Sequence, residues 1–290
     1  MKKFWKEFVL LFFVVFFLTG CGDEVITEND MGDSQTVEEN ENLDEVVVFK
    51  DVNLEAMIRE KLDKATGDIL ASDMLEVHSL NINKNNEYGE ISDLTGLEYA
   101  KNLSSISILY NNLKSINPLN GLPELSYIAI SYGSIEDKIT LNSLPSLRTL
   151  TFIQDDIEGI DFVKNFEDLT HLTLSRCGVT DILVLKNLNE LESLSLNDNS
   201  ISDISSLASK IKLTSLNLQS NQVTDISSLS SDTNLETLVL SYNHVSDLSA
   251  IMGFENLQEL RIYENLDAKI ASRIQISALI SKGVDVYYHE

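Results

Sequence analysis

One frame recurs every 22 residues through most of this chain. Its eight consecutive slots hold Asn111, Gly133, Asp155, Cys177, Asn199, Asn221, Asn243 and Asn265. Eight residues before each slot stands a leucine, from Leu103 through Leu125, Leu147, Leu169, Leu191, Leu213 and Leu235 to Leu257. A fixed period of this kind makes each copy one supersecondary unit, and a unit so short cannot enclose a core alone. Successive copies must stack and bury their leucines against one another, so the chain is predicted to be a solenoid before any other motif is considered.

Within a unit, the run Leu191-Glu-Ser-Leu194-Ser-Leu196-Asn-Asp-Asn199 alternates as a strand does. Leu194 and Leu196 point inward, and Ser193, Ser195 and Asn197 point outward. Parallel strands about 4.8 Å apart would give eight units an arc on the order of 40 Å long. The asparagine follows where the chain bends inward, because a buried side-chain amide can satisfy backbone groups of the adjoining coils. Gly133 and Asp155 interrupt that row. The return segment is clearest in Ile201-Ser-Asp203-Ile204-Ser-Ser-Leu207, and Asp181, Asp203, Asp225 and Asp247 share its acidic slot. An aspartate just ahead of a short helical turn caps free amides. One carboxylate per unit falls short of the oxygen cluster that calcium needs, so a calcium row is the weaker reading and no metal is expected.

Both ends of such a stack expose apolar faces and need covers. At the front, Asp51 is placed to cap a helix with the stripe Leu54, Met57, Ile58 and Leu62, stopping at Gly67. A second short helix near Ser72 and a first strand through Leu80 and Ile82 follow. At the back, Asp267 would start a helix through Ile270, Ile274 and Leu279 that Gly283 ends, and residues 284–288 would add a last strand. The predicted fold is an α/β solenoid: an arc with a parallel β-sheet on its concave face, a helical N-terminal cap and a helix-strand C-terminal cap. Residues 47–90 form the front cap, 91–266 the repeats and 267–290 the back cap.

The first 20 residues differ in character. Lys2, Lys3 and Lys6 precede an unbroken apolar run over residues 8–18. Those 11 residues are too short to cross a bilayer as a helix, which takes about 20, and they suit the core of an export signal. Leu18-Thr19-Gly20-Cys21 follows and resembles a bacterial lipobox. That resemblance implies lipid transfer to the Cys21 thiol and cleavage before it, with a conventional signal peptide as the alternative. Residues 21–46 are acidic and polar without Lys or Arg, which describes a solvated, self-repelling tether. The formal charge of the chain is -25, and removing residues 1–20 takes away three Lys and one Glu to leave -27. Phosphate binding needs a basic face, so nucleic acid is not an expected partner. Cys21 and Cys177 are the only cysteines, each with its own role, and no disulfide is expected.

Residues 191–201 read L-x-x-L-x-L-x-x-N-x-I, the leucine-rich-repeat pattern, with Cys177 a tolerated occupant of the asparagine slot. The 22-residue unit with I-x-D-I-x-x-L returns, the front segment Phe49-Lys-Asp51-Val-Asn-Leu54 and the tail Ile280-Ser-Lys-Gly283-Val-Asp-Val286 resemble the internalin-type leucine-rich-repeat proteins of Gram-positive bacteria. The likeness spans about residues 47–290 and implies the fold more sharply than any ligand. Family members often carry a C-terminal wall-sorting motif or an Ig-like region. Neither stands in this sequence, so the lipid alone is expected to hold the protein at the extracytoplasmic face of the cell membrane.

Chemistry is harder to find. His78, His171, His244 and His289 are the histidines, and only His171 lies near Cys177 in sequence. His171 belongs to the outward set with Thr173 and Ser175 while Cys177 fills the inward slot, so the two should point apart, and a buried thiol without a base is inert. No CxxC, HExxH or phosphate-binding loop occurs, and neither an enzyme nor a cofactor is expected. What remains is the outward face of the sheet. The slot directly before the asparagine holds Tyr110, Tyr132, Gln154, Arg176, Asp198, Ser220, Tyr242 and Glu264. Leu109, Tyr127 and Ile153 add to the front of the arc, and Glu259, Arg261 and Tyr263 to the back. Tyrosine and arginine dominate protein interfaces because they offer rigid area with a polar tip. The candidate contact residues are therefore Leu109, Tyr110, Tyr127, Tyr132, Ile153, Arg176, Tyr242, Arg261 and Tyr263, with the five front residues expected close together. The expected function is a lipid-anchored, monomeric surface module that binds a protein or peptide, neutral or basic by charge. The alternative is an envelope-organising spacer.

Overall fold

The computed structural model describes residues 45–154, 157, 159–231, 234–265 and 270–288. The export segment, Cys21, the tether up to residue 44, Asp155, Asp267 and His289 lie outside them. The described residues fall within one unit, Asn42–Glu290. Its strands in chain order are β1 Ser79–Asn83, β2 Ser105–Leu109, β3 Asn112–Leu113, β4 Tyr127–Ser131, β5 Ser134–Ile135 and β6 Thr149–Ile153. Then come β7 His171–Ser175, β8 Ser193–Ser195, β9 Ser215–Asn217, β10 Thr237–Val239, β11 Glu259–Arg261 and β12 Asp285–Tyr287. Ten of them form one parallel sheet in sequence order, while β3 and β5 pair separately. Short 3-10 turns such as Ser205–Leu207 and Ser249–Ile251 make the return of each coil.

The period appears directly in the register. Ser105 lies opposite Tyr127 and Thr237 opposite Glu259, an offset of 22 residues per coil. At the two ends Ser79 faces Ser105 and Glu259 faces Asp285, an offset of 26, because the cap strands belong to differently built segments. Leu103, Leu125, Leu147, Leu169, Leu191, Leu213, Leu235 and Leu257 are all buried, as are inward strand residues such as Leu194 and Leu196. Each buried leucine contributes roughly 1.5–3 kcal/mol relative to exposure.

The asparagine row ties one coil to the next. Asn243 Oδ1 accepts the Val223 N–H at 2.9 Å, and its Nδ2 donates to the carbonyls of Leu218 at 2.8 Å, Leu240 at 3.1 Å and Ser241 at 3.4 Å. Val223 and Leu218 belong to the preceding coil, Leu240 and Ser241 to its own. Asn199, Asn221 and Asn265 repeat the pattern. Cys177 keeps the donor half: its thiol donates to Phe152 O at 3.4 Å and Ser175 O at 3.3 Å. Gly133 abandons the device. A Cβ there would lie 2.0 Å from the Asn111 carbonyl oxygen, so only glycine admits this approach. Backbone pairing replaces the amide: β3 and β5 align Asn112 with Ser134 and Leu113 with Ile135, and Glu136 N–H donates to Leu113 O at 3.0 Å.

The front cap is α1, Val52–Lys61. Asp51 Oδ1 accepts the Asn53 and Leu54 amides at 2.9 and 3.2 Å, as its position predicts. Its Oδ2 accepts the Ser92 N–H at 2.7 Å, joining the cap to the first coil, a bond the sequence does not signal. The helix ends well before Gly67, at Leu62, and Asp63 takes the left-handed turn at φ 51. The back cap is α2, Ile270–Ser281, followed by β12. Here Ile276 and Leu279 are buried and Ile274 is 67% exposed, which corrects the expected stripe. The helix is turned so that Gln275 reaches the last coil, donating to Asp247 Oδ1 at 2.8 Å and accepting the Leu248 N–H at 3.0 Å.

Asp181, Asp203, Asp225 and Asp247 cap the return turns, each accepting the N–H two residues on at 2.8 Å. The Ser205 and Ser227 N–H groups hold Asp203 and Asp225 below the ordinary aspartate value, and the Ser249 hydroxyl followed by the Gln275 amide does so for Asp247. A lowered folded value gives stability that is present above the unfolded value and lost as pH falls through the folded one. The thermal midpoint is therefore expected to drop as pH is taken below roughly 4, and the triple variant Asp203→Asn, Asp225→Asn, Asp247→Asn, which keeps the caps uncharged, should flatten that slope. The coil-to-coil bonds give a second expectation. Asn243→Ala orphans the Val223 N–H and a buried carbonyl and should cost about 2–4 kcal/mol, while Gly133→Ala should cost about 1–3 kcal/mol through forced backbone movement, both read from urea unfolding midpoints.

Candidate functional site

The slot before the asparagine has the same unusual backbone in every coil. Tyr110, Tyr132, Gln154, Arg176, Asp198, Ser220, Tyr242 and Glu264 all have positive φ, between 50 and 59. Strand parity would send Tyr110 inward with Ile106 and Ile108. The left-handed turn reverses that, presenting the tyrosine to solvent and turning Asn111 into the core. The same turn lets the Tyr110 N–H donate to Ser131 O at 3.0 Å and the Tyr132 N–H to Ile153 O at 2.8 Å in the next coil. A non-glycine residue in this region costs on the order of 1–2 kcal/mol, and glycine would occupy it freely. The row nevertheless holds large side chains, so its residues are not those the backbone alone would favour.

At the front of the face these side chains meet. The rings of Tyr110 and Tyr132 stack with centroids 5.3 Å apart and planes at 23°. They are 42% and 43% exposed. Half-buried Leu109 and Ile153 lie one residue back along the strands, on either side of buried Ser131. Tyr127 is not part of this cluster. It sits at the opposite end of β4, four residues from Ser131 and so about 13 Å along the strand, because parity brings it outward in a different row. The front residues thus form a group of four with a separate exposed tyrosine.

The strand positions here carry no charge. The outward positions of β1, β2, β4, β6 and β7 are Ser, Asn, Leu, Tyr, Ala, Thr, Ile and His, without one Lys, Arg, Asp or Glu, in a chain whose formal charge is -25. In the middle, Ser175 Oγ donates to Asn197 Oδ1 at 2.6 Å and Ser195 Oγ to the same atom at 2.9 Å, and Arg176 pairs with Asp198 at 3.4 Å. At the back, Arg261 pairs with Glu259 and lies 5.4 Å over the Tyr287 ring. Exposed Tyr242 and half-buried Tyr263 adjoin it through the Tyr242 N–H, which donates to Tyr263 O at 2.7 Å. Tyr287 was missed as a face residue. Its signal was the predicted last strand, whose alternation places it beside Arg261.

His171 is exposed on the sheet, its Nδ1 2.9 Å from Thr170 Oγ1, whereas Cys177 is 1% exposed within the core. The two do not meet. Among the described residues no group of His, Cys, Asp or Glu is placed to hold a metal, and no helix is long and apolar enough to cross a membrane.

A family model for leucine-rich repeats in two copies matches residues 189–231. No curated protein matches the sequence. Among solved structures, internalin C2 of Listeria monocytogenes superposes with a TM-score of 0.61 at 21% identity, covering 83% of this chain and 95% of that one. A leucine-rich-repeat protein of Leptospira interrogans gives 0.59 at 18% identity, over 74% of this chain and 62% of that one. The functional domain of InlJ from Listeria monocytogenes, described as including a cysteine ladder, gives 0.51 at 19% identity, over 83% and 60%. The fold is a leucine-rich-repeat solenoid.

Within this leucine-rich-repeat frame the two stacked tyrosines are separable from stability. Replacing both by glycine loses a ring contact of roughly 0.5–1.5 kcal/mol and adds chain entropy, but relieves the left-handed strain of each. Tyr110→Gly with Tyr132→Gly is expected to change unfolding free energy by no more than about 1 kcal/mol, measured by urea titration.

Proposed function

We propose that this protein is a lipid-anchored, non-enzymatic recognition module on the extracytoplasmic face of a bacterial cell membrane, which holds a protein or peptide partner against its concave sheet. In this reading residues 1–20 direct export, Cys21 carries the lipid, residues 21–46 are the tether, 47–90 the front cap, 91–266 the repeats and 267–290 the back cap. The main contact is the stacked Tyr110–Tyr132 pair with Leu109 and Ile153. Tyr127, Arg176, Tyr242, Arg261 and Tyr263 extend the contact along the arc. The observation that supports this reading most is the exposed ring stack beside strand positions that carry no charge. Tyrosine beside Ser, Thr and Asn is the composition of protein-binding paratopes, where rigid rings supply area and small polar groups adapt their hydrogen bonds. Uncharged strand positions favour an uncharged epitope, while the acidic remainder of the chain speeds encounter with basic partners and leaves neutral ones unhindered.

The test is photocrosslinking on intact cells from a reactive residue at Gln154, beside the stack. One defined partner band is expected, lost when Tyr110→Gly and Tyr132→Gly are introduced into a chain that still folds. Unchanged crosslinks in that variant, with altered envelope behaviour, would favour a rigid spacer instead. The mass of the mature N-terminus should show acyl chains on Cys21, and an unmodified cysteine there would remove the anchor from the proposal.

A further inference from the structure

The outward side of the front strands has a floor of small residues between two rows of larger ones. The floor is Ser107, Ala129, Thr151 and Thr173, which the register sets side by side across β2, β4, β6 and β7. Ala129 is 7% exposed although it lies outward, so its neighbours stand above it. At the strand starts Tyr127 and His171 flank Thr149. At the strand ends Leu109 and Ile153 flank Ser131, with the Tyr110–Tyr132 stack behind them. Four residues separate the two rows along each strand, about 13 Å.

The two rims of this channel differ in charge. On the loops that feed β1, β4, β7 and β8 stand Glu76, Glu124, Glu167 and Glu192, all exposed and none in an ion pair among the described residues. Of the cations on that side, Arg148 lies 3.6 Å from Asp168 and Lys101 is half-buried. Beside the ring stack the charges are paired, Lys84 with Glu90 at 3.6 Å and Arg176 with Asp198 at 3.4 Å. A partner lying in the channel therefore meets an acidic rim on one flank and aromatic surface on the other.

The form of that partner follows from hydrogen bonding. The N–H and C=O groups of these strands are engaged in the sheet, so an extended segment laid over the channel would find only scattered hydroxyls for its own backbone. An α-helix arrives with its backbone already paired, and its width of about 10–12 Å with side chains suits the distance between the rows. We propose that the segment held by this face is a basic amphipathic α-helix lying across β2, β4, β6 and β7, an inference that rests on the sheet-face recognition proposed above. Small residues of the helix sit over Ala129, apolar ones meet Leu109, Ile153 and the rings, and Lys or Arg on its other flank faces Glu124 and Glu167.

Photocrosslinking on intact cells tests the shape, with a diazirine-bearing residue at Ser107 in one variant and at Thr173 in another. Those floor positions stand three coils apart, about 14 Å, which spans roughly ten residues of a helix but roughly four of an extended chain. Mass spectrometry is expected to find one partner whose two captured residues are about ten apart in sequence. A separation of about four, or capture of two unconnected segments, would overturn the helix and leave the sheet face as the binding surface. Silence at both floor positions while Gln154 still captures a partner would overturn the channel as its seat, and silence at Gln154 as well would remove the recognition reading itself. The Glu124→Gln, Glu167→Gln variant changes only exposed side chains and should still fold. It is expected to lower capture several-fold at about 50 mM salt and little at about 300 mM, where screening already weakens the carboxylates, and undiminished capture at low salt would exclude the basic flank.

Discussion

Each coil of this solenoid must hand its unpaired backbone groups to the next, and the asparagine amide is what accomplishes the transfer. A parallel sheet pairs the strands, but the turn that follows leaves N–H and C=O groups facing the core, where an orphan costs free energy. One amide has an acceptor and two donors, enough to reach the coil behind and its own coil at once. The exceptions show which half of that chemistry is essential where. Cys177 keeps the carbonyl contacts through its thiol. Gly133 has no side chain for either half, and the chain closes up until two backbones pair directly as β3 and β5.

Turning the asparagine inward has a consequence on the other side of the chain. The residue before it must adopt a left-handed conformation, which throws its side chain out onto the concave face. Fold and face are thus coupled through one backbone torsion repeated eight times. Because the exposed residue is not needed for the bonds its backbone makes, its identity is free to vary, and it varies from tyrosine to aspartate along the arc. The front coils use that freedom for two rings close enough to stack, and the back coils surround an arginine with tyrosines. Recognition by such a surface needs no moving parts, since the scaffold already holds each side chain at coil spacing.

Much of this was legible in the residues. The period predicted stacking, parity predicted which strand residues face the core, and the acidic slot predicted capped turns. The Asp51 helix cap was equally plain, yet its second oxygen, holding Ser92, was not, because the partner lies 41 residues away. Helical spacing nominated Ile274 for the core, but Gln275 reaches the final coil and sets the helix rotation, which buries Ile276 instead. Lys210 was invisible in a different way. It occupies a slot filled by Leu188 and Phe254 in other coils, is 1% exposed, and donates to Lys186 O at 2.7 Å and Asn189 Oδ1 at 3.2 Å. Local pattern assigns a lysine to solvent, and the acceptors supplied by the neighbouring coil make its burial tolerable.

By itself the sequence determined the repeat length, the inward leucines and the asparagine row, because these follow from periodicities of the chain with itself. Tertiary structure alone decided the 26-residue offsets at the caps and the burial of Lys210 against the preceding coil. Those depend on distances between segments that are remote in sequence. Such distances are settled by how whole coils and caps pack, which no local spacing encodes.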